Sequence, residues 1–132
     1  MQKISLNNFI PAIIWFFIVL VLTCMPGKDV PKIGWLEQIH FDKWVHIGMF
    51  GGLTFLFCRP FSRSGWPKRQ RRAYFVKIAL ATSIWGLDIE FIQKYFAIGR
   101  SFELLDWAAD SLGALVALII CIKLFSGKAL QK

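Results

Sequence analysis

The stretch that decides the fold is Phe9-Ile-Pro-Ala-Ile-Ile-Trp-Phe-Phe-Ile-Val-Leu-Val-Leu-Thr-Cys-Met25. It is almost continuously apolar, and no charged side chain occurs from Ile4 to Gly27. A bilayer core of about 30 Å is crossed by about 20 helical residues, so a membrane span is expected over roughly residues 8–26. Pro11 falls in its first turns, where a missing N–H matters least. A cleaved signal peptide fits less well: only Lys3 forms an n-region and no small-x-small site follows. Cys24 after Val-Leu-Thr is a poor lipoprotein-type cleavage site, because Thr is ill-suited just before the cysteine.

Outward from that segment the apolar stretches are more interrupted. Residues 43–59, 77–97 and 106–123 are each about long enough to cross, but they contain His46, then Asp88, Glu90 and Lys94, then Asp110. Ionisable groups at membrane depth are costly and normally face protein or a cavity. The expectation is an all-α, integral membrane four-helix bundle, one domain over residues 1–132. The composition agrees: 56% of the chain is hydrophobic, and 18% charged is well below the usual share in soluble domains. Disorder and a disulfide scaffold are excluded by the same figures and by only three cysteines.

The formal charge of +8 is an orientation signal. The segment joining the second and third spans holds Arg59, Arg63, Lys68, Arg69, Arg71, Arg72 and Lys77 with no acid, and Lys3, Lys123, Lys128 and Lys132 are equally unaccompanied. With four spans these segments share one side, cytoplasmic by the positive-inside rule, which puts both termini inside. All eight acids (Asp29, Glu37, Asp42, Asp88, Glu90, Glu103, Asp106 and Asp110) fall in the outer half, where Trp35, Trp44 and Trp107 mark an aromatic belt. The basic run over residues 59–77 is expected to meet anionic lipid headgroups. No nucleic-acid fold fits between spans so close together, so no nucleic-acid partner is expected.

The residues able to carry chemistry come in three pieces: Asp42 and His46; Glu90 and Gln93, followed by Arg100; and Asp106 and Asp110. Members of each pair, three or four apart, share a helix face. At 1.5 Å per residue, His46, Glu90 and Asp110 fall in about the same layer below the outer edge. Asp88 points about 200° away from Glu90 on the same helix. Carboxylates with a histidine suit a divalent metal, with His46, Glu90 and Asp110 as its ligands, or a general acid/base set. Arg100 suits a phosphate or carboxylate. A buried ion-pair network with no ligand is the competing reading. Gly48 and Gly52, a G-x-x-x-G pair, and Gly113 in the last span are expected to let helices pack closely. Cys24, Cys58 and Cys121 read as small apolar residues. No H-x-x-x-H, C-x-x-C, G-x-S-x-G or Gly-rich phosphate loop is present.

At Asp42-Lys43 with His46, Glu90-x-x-Gln93, Arg100, Asp106, and Asp110-Ser-Leu-Gly113-Ala114, the chain resembles the VanZ-like family of small bacterial membrane proteins. The resemblance covers residues 42–117, though the family usually has Asn where this chain has Asp110. It implies a multi-pass protein of the bacterial cytoplasmic (inner) membrane, in a family named for a member that lowers susceptibility to teicoplanin. The leading expectation is an outer-facing polar pocket (Asp42, His46, Glu90, Gln93, Arg100, Asp106, Asp110). It would bind a polar or anionic group of an envelope molecule, such as a lipid-linked cell-wall precursor or a lipoglycopeptide. The alternatives are a membrane-embedded hydrolase or transferase acting on a lipid head group, metal-dependent or not, and a small structural or interaction protein. Whether it is an enzyme, and whether it forms a homo-oligomer, is left open by the sequence.

Overall fold

The computed structural model describes residues 3–26 and 32–126, and all regular structure among them is helical. A 3-10 turn, Leu6–Phe9, leads into α1, Ile10–Thr23. The short α2, Gly34–Gln38, precedes α3, Phe41–Ser62, then α4, Lys68–Phe96, and α5, Leu104–Ser126. Lys28, Asp29, Lys128 and Lys132, assigned above to an outer loop and a basic tail, lie outside the described residues.

Local chemistry sets these boundaries. Ser5 Oγ accepts from Asn7 N–H at 3.4 Å ahead of the first turn, and Pro11 sits at the start of α1, where its lost N–H costs no helical bond. α1 stops at Thr23, whose hydroxyl donates back to Val19 O at 2.7 Å, three residues before Pro26. His40 takes the left-handed conformation (φ 54°, ψ 49°), uncommon for a residue with a Cβ, and turns the chain from α2 into α3. Pro67 caps α4 and Gly99, at φ 73°, reverses the chain after it.

Two boundaries differ from the expectation. The segment 59–77, read as a basic loop, is mostly helix, since α3 reaches Ser62 and α4 starts at Lys68. Lys and Arg are good helix formers, and no Gly or Pro interrupts residues 68–77. Arg71 is buried and donates to Ser62 O at 3.3 Å, so it ties α4 to the end of α3. The second difference is α2, a single turn in what had read as loop.

α5 packs most extensively on α3, then on α4, and α1 lies across α3 with a smaller contact to α4. Two apolar clusters fill the interior. Val19, Met49, Phe50 and Ile89 join α1, α3 and α4, with Trp15 and Trp85 against them. Cys58, Phe75 and Cys121 join α3, α4 and α5. Trp15 Nε1–H donates to Met49 O at 2.9 Å and fixes α1 on α3. Trp107 Nε1–H donates to Ser83 O, also at 2.9 Å, and fixes α5 on α4.

The segments Leu6–Thr23 and Leu104–Phe125 are long and apolar enough to cross a membrane. α3 and α4, which carry Asp42, Lys43 and His46 and then Asp88, Glu90 and Gln93, do not meet that measure. Large apolar side chains cover the outside: Phe17 and Val21 on α1, Leu80 and Ile84 on α4, Leu112 and Leu115 on α5 are all exposed. Exposed apolar faces of that extent are unusual for a soluble monomer. Asp88 is exposed on α4, away from buried Glu90, as the helical spacing demands.

Candidate functional site

α3 and α5 begin at the same end of the molecule, where α4 ends. Their polar residues meet there in two layers.

The outer layer is built around Lys43. Its Nζ donates to Asp42 Oδ2 at 2.6 Å, Glu103 Oε2 at 2.8 Å and Asp106 Oδ1 at 2.5 Å. Asp42 and Glu103 are half exposed, while Asp106 is nearly buried. Partial burial of Asp42 opposes its ionisation, but the Lys43 hydrogen bond and charge outweigh it and hold the carboxyl below its ordinary 3.8. Ion pairs with that much exposure are individually weak, so the effect of this layer is chiefly to fix one ammonium among three acids.

The inner layer is His46, Glu90 and Asp110, one residue from each of α3, α4 and α5. One donor atom from each lies within 4.8 Å of the others, and all three residues are buried. His46 Nδ1 and Asp110 Oδ1 share a hydrogen bond of 2.6 Å, its direction set by the imidazole tautomer and the protonation of the carboxyl. The other ring nitrogen, Nε2, lies 3.7 Å from Asp106 Oδ2. The imidazole lies parallel to the Phe50 ring, with centroids 6.3 Å apart. Glu90 Oε2 accepts from Glu103 N–H at 2.9 Å, which binds the loop before α5 to α4. Glu90 Oε1 and Asp110 Oδ2 are buried with no hydrogen-bond partner among the described residues. Buried polar atoms are almost always satisfied, so two orphan oxygens within one trio are a chemical feature of the site.

Glycines make the convergence possible. A Cβ on Gly86 would lie 2.9 Å from Asp110 Oδ2, so the Asp110 carboxylate rests directly on α4. A Cβ on Gly113 would lie 2.3 Å from Ile47 O, and one on Gly51 would lie 3.2 Å from Gly113 O. The close α3–α5 crossing is therefore Gly51 against Gly113. Gly52 receives Trp15, and Gly48 has nothing within 4 Å of its Cβ position. The G-x-x-x-G spacing of Gly48 and Gly52 thus does not form one seam: α5 meets α3 on the face of Gly51.

Of the seven expected site residues, His46, Glu90, Asp106 and Asp110 come together, and Asp42 joins them through Lys43. Gln93 and Arg100 do not. Gln93 Nε2–H donates to Thr23 O at 2.6 Å, and Arg100 Nη2–H donates to the same carbonyl at 3.3 Å. Both satisfy the carbonyl left open where α1 ends. Arg100 is thus engaged with α1 rather than with Glu90 or Asp106, and the nearest cation to the acids is Lys43. Sequence reasoning passed over Lys43 and Glu103 as site members. The available clue was spacing: Lys43 precedes His46 by three residues and Glu103 precedes Asp106 by three.

In chemical terms the end is a concentration of acceptors. Five carboxyl groups (Asp42, Glu90, Glu103, Asp106, Asp110) face one lysine and one histidine. Such a set binds a cation or a hydrogen-bond donor, or exchanges protons; it is poorly suited to hold a bare anion. No family model, no curated protein and no solved structure matches the chain.

Proposed function

We propose that the chain is a VanZ-like, multi-pass protein of the bacterial cytoplasmic membrane whose acidic end binds the polar head of an envelope molecule at the outer surface. The motif resemblance and the charge partition support the family and the orientation. The exposed apolar flanks of α1, α4 and α5 support insertion as four spanning helices with both termini inside. Trp35 and Trp44, exposed at the acidic end, suit an aromatic belt at the outer interface. The basic segment 59–77 then faces anionic cytoplasmic headgroups.

The observation that carries the binding role is the buried trio His46, Glu90 and Asp110, with two unpartnered carboxylate oxygens beneath a half-exposed rim. Burial of the trio alone would suit a purely structural weld between three helices. A weld, however, gains from satisfying every member, because an unmet buried acceptor costs about 1–3 kcal/mol. Two such acceptors favour a ligand that supplies donors or positive charge. The anionic-ligand expectation therefore narrows to a head group presenting amine, amide or hydroxyl donors, as lipid-linked cell-wall precursors and lipoglycopeptides such as teicoplanin do.

The test is binding of a lipid-linked cell-wall precursor and of teicoplanin to the protein in lipid nanodiscs. Wild type is expected to bind at least one of them, and Glu90→Gln to weaken that binding at least tenfold with the helical circular dichroism kept. Absence of binding by wild type, or unchanged binding by Glu90→Gln, overturns the assignment.

A further inference from the structure

The two layers of the acidic end pose a comparison. Asp42, Glu103 and Asp106 offer three carboxylate oxygens within 4.8 Å of one another, as His46, Glu90 and Asp110 offer two carboxylates and an imidazole. The outer trio already contains a cation, because Lys43 Nζ sits 2.5–2.8 Å from all three acids. The inner trio is more buried, and its one basic member is the His46 imidazole, 2.6 Å from Asp110 Oδ1. Lys43 does not reach it: its three hydrogen bonds are spent on the rim. Arg100 is turned to the Thr23 carbonyl. Of the inner oxygens, Glu90 Oε1 and Asp110 Oδ2 have no hydrogen-bond partner among the described residues.

We propose that His46, Glu90 and Asp110 are the ligands of a divalent first-row metal ion, Zn²⁺ or Mn²⁺. This rests on the reading of the acidic end as a binding site and names the cation that the site takes. Buried carboxyls ionise only when a counter-charge is close by, and a metal ion supplies that charge by displacing their protons. Mixed imidazole and carboxylate donors match first-row divalent ions better than Mg²⁺ or Ca²⁺, which prefer oxygen alone. Ligands about 2.1 Å from a shared ion sit about 3.4 Å apart in a tetrahedron and about 4.2 Å apart across an octahedron. The ligand atoms lie within 4.8 Å of one another, so shifts of about 1 Å suffice: the 2.6 Å His46–Asp110 contact opens and gives up its proton to admit the ion, and Glu90 closes on it. Three protein ligands leave the ion a coordination position for an oxygen of the bound head group.

The surrounding residues serve such an ion. Glu103 N–H holds Glu90 Oε2, which fixes that carboxylate and leaves Oε1 to coordinate. Asp106 bridges the layers, with Oδ1 on Lys43 and Oδ2 facing His46 Nε2; it stands as a supporting acid of the kind that orients metal ligands. Gly86 supplies the room against which Asp110 lies. The half-exposed acids of the rim draw cations toward the end of the helices, an effect that weakens with salt.

The experiment uses the full chain in nanodiscs, stripped with EDTA, desalted and titrated with ZnCl₂, MnCl₂ and MgCl₂, with metal content measured after a second desalting. Wild type is expected to retain about one equivalent of Zn²⁺ or Mn²⁺ and to melt at higher temperature with it. Glu90→Gln and Asp110→Asn, close in shape, should each lower affinity at least tenfold. Asp88→Asn, on the far face of α4, should leave it unchanged. X-ray absorption at the metal edge of the loaded wild type should show nitrogen and oxygen neighbours, and this reading holds even if a variant fails to fold. Wild type retaining no metal, retention unaffected by Glu90→Gln and Asp110→Asn, sulfur neighbours, or preference for Mg²⁺ would each overturn the proposal. Head-group binding that persists equally in EDTA would defeat the metal and leave the binding role standing. Metal retention without head-group binding would do the reverse.

Discussion

The tightest point in the molecule is the crossing of α3 and α5, and Gly113→Ala is the perturbation that loads it. The added methyl would lie 2.3 Å from Ile47 O and 3.0 Å from Gly51 N, against about 3.4 Å for ordinary contact. Both obstacles are backbone, so no side chain can swing aside, and the two helices must part locally by about 1 Å. Overpacking of a well-filled interior costs about 1–3 kcal/mol, and a clash with rigid backbone belongs at the upper end. The wedge also falls one turn from the site, since Ile47 follows His46 and Gly113 lies three residues beyond Asp110. A separation of about 1 Å carries the 2.6 Å His46–Asp110 bond to the limit of hydrogen bonding. That adds about 1 kcal/mol, for a total near 4 kcal/mol. Gly48→Ala, whose methyl meets nothing within 4 Å, should be neutral or stabilising by up to about 1 kcal/mol through helix propensity. Denaturant titration in mixed micelles, followed by circular dichroism, measures both. Gly113→Ala within 0.5 kcal/mol of wild type would refute the reasoning, as would Gly48→Ala proving the worse of the two; that threshold is roughly the scatter of innocuous surface changes.

Three further outcomes follow from the same geometry. Gly86→Ala, whose methyl meets Asp110 Oδ2 at 2.9 Å, should cost about 1–2 kcal/mol and weaken zinc retention in desalted nanodiscs; unchanged retention would mean that Asp110 is not held where the site needs it. Gln93→Leu should destabilise by about 1.5 kcal/mol, because it removes the shorter of the two hydrogen bonds to the Thr23 carbonyl, whereas Arg100→Ala, which removes the 3.3 Å one from a half-buried side chain, should cost under about 1 kcal/mol. Equal losses in micelle unfolding would contradict that ranking. The Asp42 carboxyl is held below 3.8, so its contribution is present above that value and is lost as pH falls through the depressed one. The stability difference between wild type and Asp42→Asn should therefore stay constant from about pH 8 to 5 and shrink only below about pH 4. A difference already gone at pH 6 would show that the Lys43 pairing is not what sets it.

Much of this was legible in the sequence because it depends on periodicity. Helical spacing places His46 one turn beyond Asp42 and Asp110 one turn beyond Asp106, and a rise of 1.5 Å per residue puts Glu90 level with them. The trio that meets within 4.8 Å is the one that this arithmetic selects. What stayed hidden depends on rotation between helices and on side-chain reach. Whether Gly48 or Gly51 faces α5 is a matter of about 100° per residue about the helix axis, and a spacing motif fixes only relative positions on one helix. Arg100 reads by its charge as a clamp for a phosphate or carboxylate, but the open carbonyl at the end of α1 competes for its guanidinium, and that carbonyl lies seventy-seven residues away in the chain. The helical start of α4 was lost for a simpler reason. Its dense charge resembles a loop by composition, although Lys and Arg propagate a helix well once Pro67 has begun it.

The central claim is that the acidic end faces outward across a membrane from the basic end, and single-cysteine labelling in intact cells tests it most directly. With Cys24, Cys58 and Cys121 replaced by Ala, Glu37→Cys in α2 and Arg69→Cys in α4 are exposed positions at the two ends. An impermeant maleimide should label Glu37→Cys in intact cells and reach Arg69→Cys only after permeabilisation. Labelling of both from outside, of neither, or in the reverse order would contradict the account.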